Sequence, residues 1–332
     1  MRKLLGAIFG RTESALAAVL IVAGIIFSFS SPYFLTLSNA VDLVEAYSVT
    51  TILAAGVFVV LVAGGIDISF AATASVAQYA AAYAATEYGV AAVPTIAIAC
   101  TIGILLGAIN GLLTHYLRVV SIIVTIATAS IYYALLIYFT DGTEIYNLPE
   151  WWTERVVLFR HETATGDIVR VTFPIVVMIA VVLITHLLMS RLRIGRQIYA
   201  LGGNPEAASR VGINIVGVQT FVYAYLGLLA GIAGMVQAHR VHQAVPTAMV
   251  GEELSVLAVA ILGGASLVGG IGTMGGVVLG VLLLAMLQNG LNLLGVSSYF
   301  FGVVIGLAIL VSVSATGYAE QRMRRRSTAE LV

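Results

Sequence analysis

The stretch Arg191–Gly212, RLRIGRQIYALGGNPEAASRVG, is the one long polar segment with a basic excess between hydrophobic runs. In it Arg191, Arg193, Arg196 and Arg210 stand against a single acid, Glu206. Its second half, from Asn204 to Gly212, reads as one short helix. Asn204 suits the N-cap, where its side-chain oxygen accepts from an otherwise orphan backbone N–H. Pro205 suits the first helical position, where a missing N–H costs nothing. Glu206 sits at the positive end of the helix dipole. Gly212 can take the left-handed conformation that ends a helix. Gly203, Ala207, Ala208 and Arg210 complete the motif. Its body is barely two turns, too short to persist alone. It is either docked against something or an ordinary turn at a membrane surface.

Composition places this segment in a membrane protein. The chain has 332 residues, 60% hydrophobic and 10% charged, with a mean hydropathy of +1.03. Soluble domains carry about 25% charged residues, and a water-soluble fold of this composition would expose large apolar patches. The bilayer is the natural solvent, and lipid the expected surrounding partner. Zero net charge implies no bulk attraction to nucleic acid. Cys100 is the sole cysteine, which excludes an intrachain disulfide and a cysteine metal cluster. The basic N-terminus and the apolar run behind it lack an A-x-A-like cleavage site, so a retained first helix is expected.

About 20 apolar residues are needed to cross the hydrocarbon core. Ten segments qualify, at roughly 13–30, 40–63, 69–86, 90–113, 120–139, 172–190, 216–238, 254–267, 274–294 and 298–314. The third and eighth are rich in small residues and weakly bounded. The expectation is one all-α, polytopic domain over residues 1–332 with about ten transmembrane helices. The positive-inside rule places both termini in the cytoplasm. Arg2, Lys3, Arg11, Arg118, Arg191, Arg193, Arg196, Arg210, Arg322, Arg324, Arg325 and Arg326 then lie inside. Arg155, Arg160, Arg170 and Arg240 lie outside. The segment 191–214 becomes a cytoplasmic loop and 141–171 the longest external one. Trp151 and Trp152 in the latter suit a membrane interface.

Small residues recur within the spans. Gly103, Gly107 and Gly111 lie four apart on one helix face, and Gly227, Gly231 and Gly234 nearly repeat the spacing. Such rows let helix backbones approach closely in lipid. Three polar spots remain. The first is Gly64-Gly65-Ile66-Asp67-Ile68-Ser69, whose Asp67 is closely enclosed by apolar sequence. It either caps the third span or acts directly in transport, as intramembrane ionisable groups do. Gly64 and Gly65 break the preceding helix. The second runs from Gly263-Gly264 to Gly269-Gly270-Ile271-Gly272, a density that suits a tight turn near other backbone. The third is the amides Asn110, Gln288, Asn289 and Asn292, which either bridge helices or bind sugar hydroxyls.

Several chemistries are excluded by what the sequence lacks. It has no GxxxxGK[ST], and its sole lysine is Lys3, so it cannot form a normal P-loop. No His pair has zinc spacing supported by a carboxylate; His115, His186, His239 and His242 suit solvated interface positions. No span carries a carboxylate pair at mid-helix, which argues against an ion-coupled secondary carrier. No nucleophile–base constellation supports an embedded enzyme. The chain reads as a passage without its own motor.

Four stretches make it resemble a known family. They are Ser31-Pro32-Tyr33-Phe34, the GGIDIS turn, RIGRQIYALGGNPEAASRVGIN at 193–214, and the run from PTAMVGEEL (246–254) through ILGGASLVGGIGT (261–273) to QNGLNLLGVSSYF (288–300). Together they resemble membrane permease subunits of bacterial ABC importers for monosaccharides, most of all the ribose-permease type. The likeness spans roughly residues 30 to 315. It departs from the family's pattern at Phe70-Ala71-Ala72, where Val-Gly-Ser is usual, and at Val119-Val120-Ser121, where Ile-Pro-Ala is usual. It departs again at Tyr132-Tyr133, in place of Arg-Gly, and at Ser314-Ala315-Thr316, in place of a terminal aspartate. These departures bear on substrate more than on class.

The resemblance implies a multi-pass protein of the bacterial inner membrane, paired with a second copy or a related permease. It implies no cofactor in this chain, with ATP and magnesium bound by a partner cytoplasmic ATPase, and a periplasmic sugar-binding protein that delivers the cargo. The helix from Pro205 to Arg210, with Gly203, Asn204 and Gly212 at its ends, would couple to the ATPase. Asp67, Ser69, Asn110, Gln288, Asn289 and Asn292 are the translocation candidates. Related permeases carry other pentoses and hexoses, sugar alcohols or autoinducer-2, and more distant ones nucleosides and branched-chain amino acids.

Overall fold

The computed structural model describes residues 11–162, 168–297, 299–303, 306, 307 and 310. Helix α1 (Arg11–Ser30) leads to the pair α2 (Leu37–Ala46) and α3 (Ser48–Val62). Then come α4 (Phe70–Glu87), α5 (Ala92–Leu117) and α6 (Ser121–Thr140). The segment after α6 holds the one-turn α7 (Glu150–Thr153) and an antiparallel hairpin, β1 (Val157–Glu162) with β2 (Ile168–Thr172). Helix α8 (Phe173–Arg191) precedes two short polar helices, α9 (Arg193–Gly203) and α10 (Pro205–Arg210). The long α11 (Ile215–Val241), the short α12 (Glu252–Leu262) and α13 (Met274–Leu293) follow.

Nine of the ten expected spans coincide with helices among the described residues; the tenth lies mostly outside them. Six helices are individually long and apolar enough to cross a membrane, and a seventh crossing results if α2 and α3 count as one span bent by 51°. The bend falls at Tyr47, whose backbone leaves the helical region (φ −96°, ψ 11°). Helices α4 and α12 fall outside the set. The first is alanine-rich, and the second has only 11 residues.

Helix α11 is the centre, packing on α3, α4 and α5. Its closest partner is α5, and glycine is the reason. A Cβ on Gly103 would lie 2.1 Å from the Gly227 carbonyl oxygen, and one on Gly227 would lie 2.0 Å from that of Gly103. Without hydrocarbon-driven association, such backbone proximity supplies packing and weak Cα–H···O contacts. Helix α3 is enclosed, with Ile52, Phe58 and Leu61 fully buried. Ile21, Ile25, Ile123, Ile126, Leu183 and Ile184 remain exposed on the outer faces of the bundle, as lipid-facing positions require.

The segment 141–171 is tied onto the helices. Trp152 is buried, and its indole N–H donates to the Met235 carbonyl of α11 at 3.1 Å. His239, expected in solvated surroundings, is also buried, with its Nδ1 2.5 Å from the Trp152 carbonyl oxygen. Trp151 stacks on Trp152 with centroids 5.4 Å apart. A buried indole needs an acceptor, and the end of α11 provides it. An antiparallel bridge between Ile145 and Ala244 adds a second tie.

Candidate functional site

The short helix stands as its residues dictate. The Asn204 side chain accepts from the Ala207 N–H at 3.0 Å, and Pro205 occupies the first turn. Such a cap contributes about 1 kcal/mol. Gly212 has φ +85°, and the N–H groups of Gly212 and Ile213 donate to the carbonyls of Ser209 and Ala208, a Schellman ending. Ala208 turns inward and is buried, whereas Glu206, Ala207 and Arg210 are exposed. The preceding α9 is amphipathic: Ile198 and Leu201 enter the core while Arg193 and Arg196 stay outside. Asn214, beyond the motif, caps α11 by accepting from the Gly217 N–H at 3.0 Å.

The helix is anchored at its base by a junction of three glycine turns. Helices α3 and α12 end alike. Gly64 (φ +83°) donates to the Leu61 carbonyl and Gly65 to that of Val60; Gly264 (φ +88°) donates to Ile261 and Ala265 to Ala260. A third turn follows at Gly269–Gly270, and the Gly270 N–H donates to the Val62 carbonyl at 2.8 Å, joining it to the end of α3. Gly202, at the end of α9, fits against that bond. A Cβ there would lie 1.8 Å from the Val62 oxygen and 2.6 Å from the Gly270 nitrogen. Gly269 meets Gly64 and Gly202 at similarly close range. Tyr199 strengthens the tie by donating to the Gly272 carbonyl at 2.7 Å. Gly263 instead packs on α13, where a Cβ would lie 2.6 Å from the Gly276 oxygen.

Beyond Gly65 the chain passes Asp67. Its Oδ1 accepts from the Ser69 N–H at 2.7 Å and from the Ser69 hydroxyl at 2.6 Å. This is a turn formed two residues ahead, and Asp67 is not the N-cap of α4; that position belongs to Ser69, which makes no side-chain cap bond. Asn110 Nδ2 donates to the Ser69 hydroxyl at 2.6 Å, and Tyr132 donates to Asn110 Oδ1 at 3.4 Å. Ser121 and Thr125 of α6 accept from the N–H groups of Ile66 and Ile68. Asp67, Ser69 and Asn110 are thus gathered into one buried network that holds the turn to α5 and α6.

The remaining amides lie elsewhere. Asn289 and Asn39 exchange side-chain hydrogen bonds at 2.9 and 3.1 Å, bridging α13 to α2. Gln288 accepts from the Tyr47 hydroxyl at the bend. Asn292 is exposed. The structure therefore separates these three from the Asp67 group.

Apolar helices around a buried polar turn, tied through glycines to an exposed charged helix, make this a multi-pass membrane protein. The chain belongs to the family described as "Branched-chain amino acid transport system / permease component", whose model matches residues 39–313. It is 35% identical over 303 residues to the ribose import permease protein RbsC of Escherichia coli (strain K12), covering 91% of this chain and 92% of that one. It is 33% identical over 298 residues to the D-allose transport system permease protein AlsC of the same strain, covering 89% and 88%. To the galactose/methyl galactoside import permease protein MglC it is 30% identical over 315 residues, covering 91% and 93%. No solved structure matches. The chain is a permease of the inner membrane, similar to those of sugar ABC importers.

Proposed function

We propose that this chain is the membrane subunit of an ABC importer that moves a monosaccharide, a ribose-like pentose or a related sugar, by ATP-driven alternating access. One observation carries the reading: relatives matched over about nine-tenths of the chain are named for ribose import and D-allose transport. The capped, outward-facing helix at Pro205–Arg210 is the kind of rigid handle such a subunit needs. In this reading ten helices cross the membrane with both termini inside, two permease chains pair, and residues 191–214 meet the partner ATPase. The ATPase binds ATP and magnesium, and a periplasmic binding protein selects the sugar and docks on the outer face, where 141–171 lies. A ligand shifts an equilibrium only through differential affinity for its states; ATP and the loaded binding protein provide that difference.

The helix itself provides the test. Glu206→Gln and Arg210→Gln change exposed charges and should alter stability by no more than about 0.5 kcal/mol. Both variants should insert normally yet lose ATP hydrolysis stimulated by the loaded binding protein. Ala207→Cys, on the exposed side of the helix, should crosslink to the ATPase in a Cys100→Ser background. Normal uptake by both charge variants, with no crosslink in any nucleotide state, would place the contact elsewhere.

A further inference from the structure

The interior of the subunit contains a second polar group, away from Asp67. Gln78 on α4 is fully buried, and neither its Oε1 nor its Nε2 has a hydrogen-bond partner. Ser75, one turn earlier on the same face, is also fully buried with its hydroxyl unpartnered. On α6 the buried Tyr133 hydroxyl stands beside Ser75, outside hydrogen-bond geometry, and within electrostatic reach of Glu253. Glu253 and the exposed Glu252 open α12, and Glu252 lies within the same reach of Tyr47 at the bend. Four of the eight unpartnered buried side-chain atoms among the described residues thus lie on the packed pair α4 and α6.

A folded chain rarely leaves a buried amide with both ends unsatisfied, because each lost bond costs free energy with no return. The helix-bridging role that explains Asn39 and Asn289 fails here, since Gln78 bridges nothing. Its partners come from outside the chain. The geometry points to Gln78, Ser75 and Tyr133 as a site for the hydroxyls of a neutral polyol, entered past Glu252 and Glu253. This inference rests on the monosaccharide-importer reading and deepens it by naming where the sugar is held.

The chemistry selects the ligand class. Nε2 only donates and Oε1 only accepts, so one amide satisfies two neighbouring sugar hydroxyls, each of which does both. The Ser75 and Tyr133 hydroxyls extend the row in the same currency. A cation would leave the Nε2 donor unsatisfied. An anion would face two carboxylates, and none of these residues is cationic. Water could fill the group, and the test separates that outcome.

The importer is assembled from this chain, its ATPase and its binding protein, and is reconstituted in liposomes. Uptake of labelled D-ribose, D-allose and D-galactose is measured per ATP hydrolysed, beside the thermal midpoint of the complex. Gln78→Met keeps the length of the side chain and removes both polar ends. It should leave the midpoint unchanged or raise it, because an unsatisfied buried amide is gone. It should lower uptake per ATP by about tenfold or more, the equivalent of one lost hydrogen-bonded contact. Tyr133→Phe should act in the same direction. Unchanged uptake by both variants would overturn the site and leave water as its occupant. A lowered midpoint for Gln78→Met would also overturn it, by making Gln78 a structural group. A wild-type complex that imports none of the three sugars would fail the monosaccharide reading itself, which is a different result.

Discussion

Gly227→Ala should destabilise the folded chain by about 3 kcal/mol, the upper end of what overpacking costs. A methyl at Gly227 would sit 2.0 Å from the Gly103 oxygen and 3.1 Å from the Gly107 Cα. Both obstacles are backbone, so no rotamer change relieves them. The helices must part, and α11 is the helix on which α3, α4 and α5 all pack. Gly103→Ala meets the same wall from the other side, at 2.1 Å from the Gly227 oxygen. The double variant should therefore cost less than the sum of the two, because one separation of the helices accommodates both methyls. Thermal unfolding of the detergent-solubilised chain measures each. Additive losses would mean that the two glycines do not share one contact.

This pair also shows how far the sequence can be read. The four-residue spacing of Gly103, Gly107 and Gly111 and its near-repeat at Gly227 and Gly231 are local patterns, and they identify two close-packing faces. The ends of α10 were legible for the same reason: Asn204, Pro205 and Gly212 act on backbone groups within a few residues. Asp67 was legible as a buried polar residue, but the hold on its turn was not, because Asn110 binds the same Ser69 hydroxyl from α5, 41 residues on. His239 was misread as solvated, and the packing of Trp152 was not legible. The acceptor of its indole is the Met235 carbonyl, 83 residues away. The bend at Tyr47 has no proline or glycine beside it to mark it. The orphaned Gln78 is invisible in sequence, since an unmet hydrogen bond exists only once the neighbours are in place.

The glycine junction leads to the second large effect. Gly202→Ala should lower uptake by the assembled importer by about thirtyfold. Substitutions along a coupling route alter coupling by about 0.5–2 kcal/mol, and this one belongs at the top of that range. Its methyl would enter between the Gly270 N–H and the Val62 oxygen, groups hydrogen-bonded at 2.8 Å. The bond must break or α9 must lift away. Either change frees α10 from both turns, the one leading to Asp67 and the one leading to α13. The apolar spans bury the same surface as before, so the chain should still insert, and its exposed helix should still bind the ATPase. ATP hydrolysis would then proceed without import. Gly275→Ala, outside the coupling motif, is the control for the added methyl, since the nearest atom to a Cβ there lies 3.8 Å away, at ordinary contact distance. It should change the chain's stability by less than about 0.5 kcal/mol. Uptake and ATP hydrolysis measured on the same proteoliposomes decide the matter. If Gly202→Ala imports sugar at the wild-type ratio to ATP, the junction does not carry motion between the exposed helix and the membrane turns. If it fails to reach the membrane, the junction serves folding.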